Sequence, residues 1–264
     1  MKTQNIENTA HAGSTGKWGL PLDVKFCKRC VISNQVPSAI VETENKATDK
    51  KPTLNFDKDG VCHACLYSEY KEKIDWRDRE KQLTDLLNKH RRNDGYYDVI
   101  VPSSGGKDSS FVAHMLKHKY GMHPLTVTWA PHIYTDIGWK NFQSFIHSGF
   151  DNILVTPNGR VHRELTKLAF LNLVHPFQPF IIGQKNVAPR LSVEKGVKLI
   201  MYGENPAEVN SSFDANLSPL MPERFYAAEE GKIDDIKLSG YSLDELEARG
   251  IGRSDIELYA RLNA

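Results

Sequence analysis

Tyr97-Asp98-Val99-Ile100-Val101-Pro102-Ser103-Ser104-Gly105-Gly106-Lys107-Asp108-Ser109 is the stretch that decides how this chain folds. Its first half is a short apolar, β-branched run, which reads as a strand over Tyr97–Val101. Its second half is a two-glycine turn that opens an amphipathic helix, read over Asp108–Lys119. Glycines at a strand-to-helix turn let the backbone approach an anion closely. The helix start adds N–H groups and a partial positive charge. Ser104 and Ser109 offer hydroxyls and Lys107 a cation. The Walker A spacing is absent. A plain glycine turn with a Ser or Asp helix cap is the competing reading. The position between a strand and a helix of a parallel sheet favours anion binding.

The neighbouring sequence supplies that sheet. Leu125–Trp129, Asn152–Thr156 and Lys198–Tyr202 read as three further strands. Gly138–Ser148, Val161–Val174 and Gly183–Glu194 read as helices. Strands alternating with helices at this spacing predict a parallel sheet with crossover helices, an α/β fold. Upstream, residues 67–92 read as one helix, with apolar Tyr70, Ile74, Leu83, Leu86 and Leu87 among charges. Asn93–Gly95 supplies its stop. Beyond Asn205 the pattern is irregular, with helices expected over Leu243–Ala248 and Asp255–Leu262. The expected domains are a polar lead-in over 1–25, a cysteine-bearing module with its linking helix over 26–92, and the α/β domain over 93–264.

Composition limits the function. The chain has 264 residues, with 34 Lys plus Arg against 33 Asp plus Glu, a net charge of +1. That balance argues against a nucleic-acid clamp, which is usually basic. No apolar run approaches the roughly 20 residues that span a bilayer. The N-terminal segment lacks the apolar core of a secretory signal. The expectation is a cytoplasmic protein without a membrane partner.

All four cysteines lie in two matched pairs, Cys27-Lys28-Arg29-Cys30 and Cys62-His63-Ala64-Cys65. A Cys-x-x-Cys turn presents two thiolates from one side of a tight loop. Two such turns supply a tetrahedral zinc site. The alternative is buried or redox cysteines. Four cysteine ligands close the coordination sphere, so the metal would be structural and would fold a module with little core of its own.

Ser104-Gly105-Gly106-Lys107-Asp108-Ser109 resembles the SGGKDS signature of the PP-loop ATP pyrophosphatases. The resemblance implies a Rossmann-like sheet of that type, with ATP at its C-terminal edge and Mg2+ beside it. Three further features narrow it: the zinc-ribbon-like cysteine pairs, Thr126-Val127-Thr128-Trp129-Ala130-Pro131, and Met201-Tyr202-Gly203-Glu204-Asn205-Pro206-Ala207-Glu208. Together they look like the N-acetyl sugar amidotransferases of surface-glycan pathways (lipopolysaccharide or nonulosonic acid), from about Cys27 to Asn210. In that family ATP activates the carbonyl oxygen of an N-acetyl group on a sugar or nucleotide sugar. Ammonia replaces that oxygen, AMP and pyrophosphate leave, and an acetamidino sugar results. A glutaminase subunit pair is the expected ammonia source. The chain has no cysteine after Cys65, so it lacks the nucleophile of a self-sufficient glutaminase. The same absence weighs against the alternative, a PP-loop tRNA thiolase. A homo-oligomer is compatible with the pattern.

The resemblance also assigns roles. Ser103, Ser104, Gly105, Gly106 and Ser109 are expected at the pyrophosphate, and Lys107 on its charge. Asp108 either holds Mg2+ or is a carboxylate favoured by the helix dipole. Thr128 and Trp129 end strand two where adenine is expected, although Trp129 equally suits the core. Gly203 and Glu204 end strand four. Glu204 can coordinate Mg2+ or orient the amide, or be a solvated loop carboxylate. With Lys107 and Asp108 it completes the expected catalytic set. Asn205 is a ligand or a loop cap, and Asp136 a further metal candidate. Arg160, His162, Arg163, Lys185 and Arg190 are candidates for an anionic substrate, or plain surface charges. His132 and Tyr134 are candidates for a sugar pocket, and His175 for a structural role.

Overall fold

The computed structural model describes residues 15–16, 19–37, 53–204 and 237–260. Asn205, most of the lead-in, the middle of the spacer between the cysteine pairs and the end of the last expected helix lie outside the described residues. The chain divides into two compact units, with the described residues up to Ile74 in the first and those from Asp75 onward in the second.

The second unit is α/β. Its strands are β1 (Val99–Pro102), β2 (Pro124–Trp129), β3 (Asp151–Val155) and β4 (Leu199–Ile200). They form one sheet in the order β3-β2-β1-β4, and all three pairings are parallel. The helices are α2 (Trp76–His90), α3 (Lys107–His114), α4 (Asp136–His147), α5 (Gly159–Leu173), α6 (Gln178–Lys195), α7 (Leu243–Glu247) and α8 (Arg253–Ile256). The first unit carries α1 (His63–Glu72). Among the described residues no helix is long and apolar enough to cross a membrane.

β1 shows why the sheet is buried on both faces. Its side chains alternate with period two. Ile100 enters a core with Leu125, Val127, Trp129, Leu165, Ile182 and Leu191, while Val99 and Val101 enter another with Leu87, Ala113, Leu116 and Phe145. Val99, Ile100 and Val101 are all fully buried, and Pro102 is half-buried. Truncating Ile100 to Ala would cost about 2–5 kcal/mol through lost contacts and a cavity. The first of these cores also recruits Leu238, Leu243, Leu246, Ile256 and Tyr259 from the end of the chain.

Several boundaries differ from the sequence reading. The single helix expected over 67–92 is two, because Asp75 accepts hydrogen bonds from the N–H groups of Arg77 and Asp78 and starts α2 afresh. The helix over 108–119 changes to a π-helical turn at Met115–Lys119. α6 starts at Gln178, ahead of Gly183, because Pro179 in its first turn needs no N–H partner there. α4 starts at Asp136, capped by the Thr135 hydroxyl, which accepts from Gly138 N. β4 narrows to two residues.

Candidate functional site

The chain runs outward from β1 through β2 to β3, then returns to place β4 on the other side of β1. The direction of winding therefore reverses between β1 and β4. In an open parallel sheet such a switch point leaves a crevice at the C-terminal strand ends, where ligands bind. The segments leaving these two strands are Ser103–Gly106 and Met201–Glu204, so both flank this crevice.

The Ser103–Ser109 loop is built by backbone approach. Gly105 has φ +82°, and a Cβ there would lie 2.9 Å from Phe142 Cα on α4. A Cβ on Gly203 would lie 2.6 Å from Ser109 N. Only glycine fits either position. The N-cap of α3 is Gly106, which supplies no side-chain cap. A helix start has N–H groups without intrahelical acceptors, so this one suits an anion.

The side chains divide into two sets. Ser103 and Ser109 are buried, and their hydroxyls bond to each other at 3.0 Å. Ser103 N donates to Val127 O, and the Thr128 hydroxyl donates to Ser103 O. Ser103, Ser109 and Thr128 thus brace the loop from below. Ser104, Gly106, Lys107 and Asp108 are exposed. Lys107 Nζ lies 2.7 Å from Asp108 Oδ1, with 88% and 60% of these side chains exposed. Such a pair contributes little to stability and yields readily to a stronger anion.

Trp129 is 5% exposed, and its indole lies against the flat surface left by Gly183 on α6. It is part of the core. Glu204 is exposed, one residue past Gly203. Asp136 is exposed in the first turn of α4. Tyr134 packs against Trp139 and Phe142 at ring distances of 5.0 and 6.1 Å.

The candidate anion ligands separate as well. Arg160 and Arg163 are exposed on α5, and Lys185 is half-buried on α6. Arg190 is instead a brace. Its Nε donates to Glu194 Oε1, and its two terminal nitrogens donate to the carbonyl and the carboxylate of Glu257. His162 is 6% exposed, with Nδ1 2.7 Å from Tyr259 Oη. Burial, then the neighbouring charge of His132, holds its pKa down to about 4. It is therefore neutral at pH 7 and supplies no charge for an anion. His175 follows α5, where its N–H donates to Ala169 O. Sequence spacing carries no signal for the bond between His162 and Tyr259, which are 97 residues apart.

The first unit gathers the four thiols. The sulfurs of Cys27, Cys30, Cys62 and Cys65 all lie within 4.8 Å of one another. Cys30 Sγ and Cys62 Sγ are 3.6 Å apart, and all four cysteines are free. A tetrahedral zinc–thiolate site has sulfur–sulfur edges of about 3.8 Å, so the cluster can hold such a metal. The first pair sits on a small hairpin, and the second leaves another, with Cys62 as the N-cap and Cys65 in the first turn of α1. Cys27 N donates to Ile32 O beside the Phe26–Ser33 bridge, and Asp57 N donates to Val61 O beside the Phe56–Cys62 bridge. The Asp57 carboxylate accepts from Asp59 N and Val61 N and shapes the second turn.

Electrostatics favour a cation there. Burial disfavours the Cys27 thiolate, but N–H groups of Arg29 and Cys62 donate to its sulfur, and the balance brings its pKa down to about 6. Burial, then the sulfurs of Cys30 and Cys62, pushes Cys65 up to about 12. The first thiolate forms easily and later ones are resisted by the negative charge already present. A bound divalent ion removes that resistance.

No protein-family model matches the chain. Over 77 residues it is 30% identical to the uncharacterized protein MJ1599 of Methanocaldococcus jannaschii, an alignment covering 29% of this chain and 27% of that protein. The chain thus spans about a quarter of the length of the curated relative it matches.

Proposed function

We propose that the chain is a cytoplasmic PP-loop enzyme, an ATP-dependent N-acetyl sugar amidotransferase with a structural zinc ribbon. The observation that carries this is the Ser103–Ser109 loop at the β1/β4 switch point, pressed on Phe142 through Gly105 and on Gly203 through Ser109. A Cβ at position 105 or 203 would displace the very backbone that would cradle a pyrophosphate.

ATP is the substrate that activates the amide. Transfer of its adenylyl group to the carbonyl oxygen turns a poor leaving group into a good one, pyrophosphate leaves, and ammonia then displaces AMP to form the acetamidino group. The loop N–H groups and Lys107 would hold the departing phosphates. Asp108 and Glu204 are the carboxylates suited to the accompanying Mg2+. The work of the protein is then positioning and charge stabilisation, with no covalent enzyme nucleophile. That agrees with the lack of any cysteine beyond Cys65. The ammonia would come from solution or from a glutaminase subunit pair.

The test is incubation with ATP, Mg2+, an ammonium salt and a set of N-acetylated sugars and nucleotide sugars. The expected result is AMP release coupled to the mass change for replacing O by NH. AMP released only when tRNA is present would overturn this reading in favour of a thiolase.

A further inference from the structure

The end of α5 carries its apolar residues outward. Phe170, Leu171, Leu173 and Val174 are 56%, 68%, 40% and 79% exposed, and Phe177 just beyond them is 58% exposed. Residues three and four apart on a helix are neighbours, so Phe170 and Leu171 each lie beside Val174 and form one patch with it. The five exposed fractions together equal about three whole side chains, or roughly 500 Å² of surface. That is toward the upper end of the largest apolar patch found on a monomer, and patches of this size are often interaction sites.

The backbone gives a second sign. Val174 follows α5 with φ +54°, in the left-handed region. Helices that end in this conformation normally place glycine there, because a β-branched side chain is disfavoured. Hydrogen bonds from Val174 N to Phe170 O and from His175 N to Ala169 O hold the turn. The valine side chain recovers little of that strain within the chain, since it is the most exposed of the five. Backbone strain that persists in this way concentrates at sites with a further use.

Charge selects the occupant. Residues 168–184 contain no Asp, Glu, Lys or Arg, in a chain that is 25% charged. A nucleic acid or an anionic membrane would call for cations beside the apolar residues. A second copy calls for none. Under two-fold symmetry the patch meets itself, and uncharged patches meet without like-charge repulsion. Two of them pressed together bury about 1,000 Å², the lower bound for a specific interface, and interface centres are depleted of charge and enriched in Phe. We propose that the end of α5, from Phe170 to Val174 together with Phe177, is a two-fold interface between copies of this chain. The proposal is independent of the ATP-dependent reading.

The test is sedimentation equilibrium of the full chain over about 1–100 µM, the range in which so small an interface should dissociate. The average mass should rise with concentration from one chain toward two. Leu171→Glu places a charge at the middle of the patch, on a side chain that the single chain leaves exposed. It should weaken association at least about a hundredfold, with the circular dichroism of dilute protein unchanged. Val174→Gly removes a contact and relieves the backbone. It should weaken association about tenfold or more, while the unfolding midpoint of dilute protein stays the same or rises. A parent that remains one chain at every concentration overturns the proposal. If that protein also pellets with phosphatidylcholine–phosphatidylglycerol vesicles, the occupant is a lipid surface instead. A dimer of parental affinity in either variant overturns the placement of the interface.

Discussion

Gly203 and Ser109 meet backbone to backbone: a Cβ on residue 203 would lie 2.6 Å from Ser109 N and 2.7 Å from Ser109 Cα. Neither atom can move without shifting the first turn of α3. Gly203→Ala should therefore displace either the exit of β4 or the start of α3. The expected destabilisation is about 1–3 kcal/mol, the usual cost of an overpacked site. ATP affinity should fall at least about tenfold, because the displaced N–H groups are those proposed for the phosphates. Thermal unfolding and equilibrium dialysis check both. Gly159→Ala, where a Cβ would meet nothing within 4 Å, is the control: it should leave ATP affinity unchanged and stabilise the fold by no more than about 1 kcal/mol.

The four thiols predict a metal-dependent module. Among the described residues its apolar cluster is Leu54 and Val61 beside the buried Cys27 and Cys62, with a few partly buried neighbours. So small a core supplies little stability, whereas zinc on four thiolates supplies about 10–16 kcal/mol at neutral pH. Purified protein should carry a single zinc ion by elemental analysis. A strong chelator should collapse the amide resonances of residues 53–72 while those of β1 to β3 persist. A metal-free chain with undisturbed module resonances would sink this prediction.

The strand and loop pattern was legible because it is local. Val99–Val101 and Leu125–Trp129 are apolar runs of strand length, and the glycines of 105 and 106 sit directly after the first. Where the reading fell short, the deciding contacts are local but easily outvoted, or are remote. Apolar spacing from Tyr70 to Leu87 runs straight through Asp75, and only the hydrogen bonds to its carboxylate reveal a second helix start. The helix read from Gly183 starts at Gln178, because Pro179 is placed where a helix tolerates it. Ser103 and Ser109 look like phosphate ligands by motif, and their hydroxyls turn inward to each other. His162 and Arg190 read as ligands for an anionic substrate or as plain surface charges, and each is instead bound to a late segment of the chain, at Tyr259 and Glu257.

Arg190 is the clearest case of a charge used as a clamp. Its side chain is 14% exposed, and its planar fork reaches Glu194 and both the carbonyl and the carboxylate of Glu257. Lysine keeps the charge but cannot make those divergent bonds at once. Arg190→Lys should cost about 1–3 kcal/mol, the loss of charge-assisted hydrogen bonds at a largely buried site. The loss should appear as faster amide exchange over 253–259. Stability equal to the parent in chemical denaturation would remove the clamp.

His162 should make folding sensitive to mild acid. In the unfolded chain its imidazole takes a proton near pH 6.5. In the fold, burial and then the charge of His132 delay protonation to about pH 4, and burial also lowers the pKa of His132. Between these two values the unfolded state binds more protons, so stability falls as pH falls from about 6.5 to 4 and is unaffected above that window. Full protonation of the unfolded state is worth about 3 kcal/mol at this group. The groups facing it are His132 and Tyr259, and Tyr259 stays neutral throughout. Denaturant unfolding at pH 7 and pH 4.5 should show the loss in the parent. His162→Gln keeps a hydrogen-bonding side chain that does not titrate. It should be less stable than the parent at pH 7 through poorer packing, but its additional loss at pH 4.5 should be smaller by most of that amount. An identical acid loss in parent and variant would assign the sensitivity to other groups.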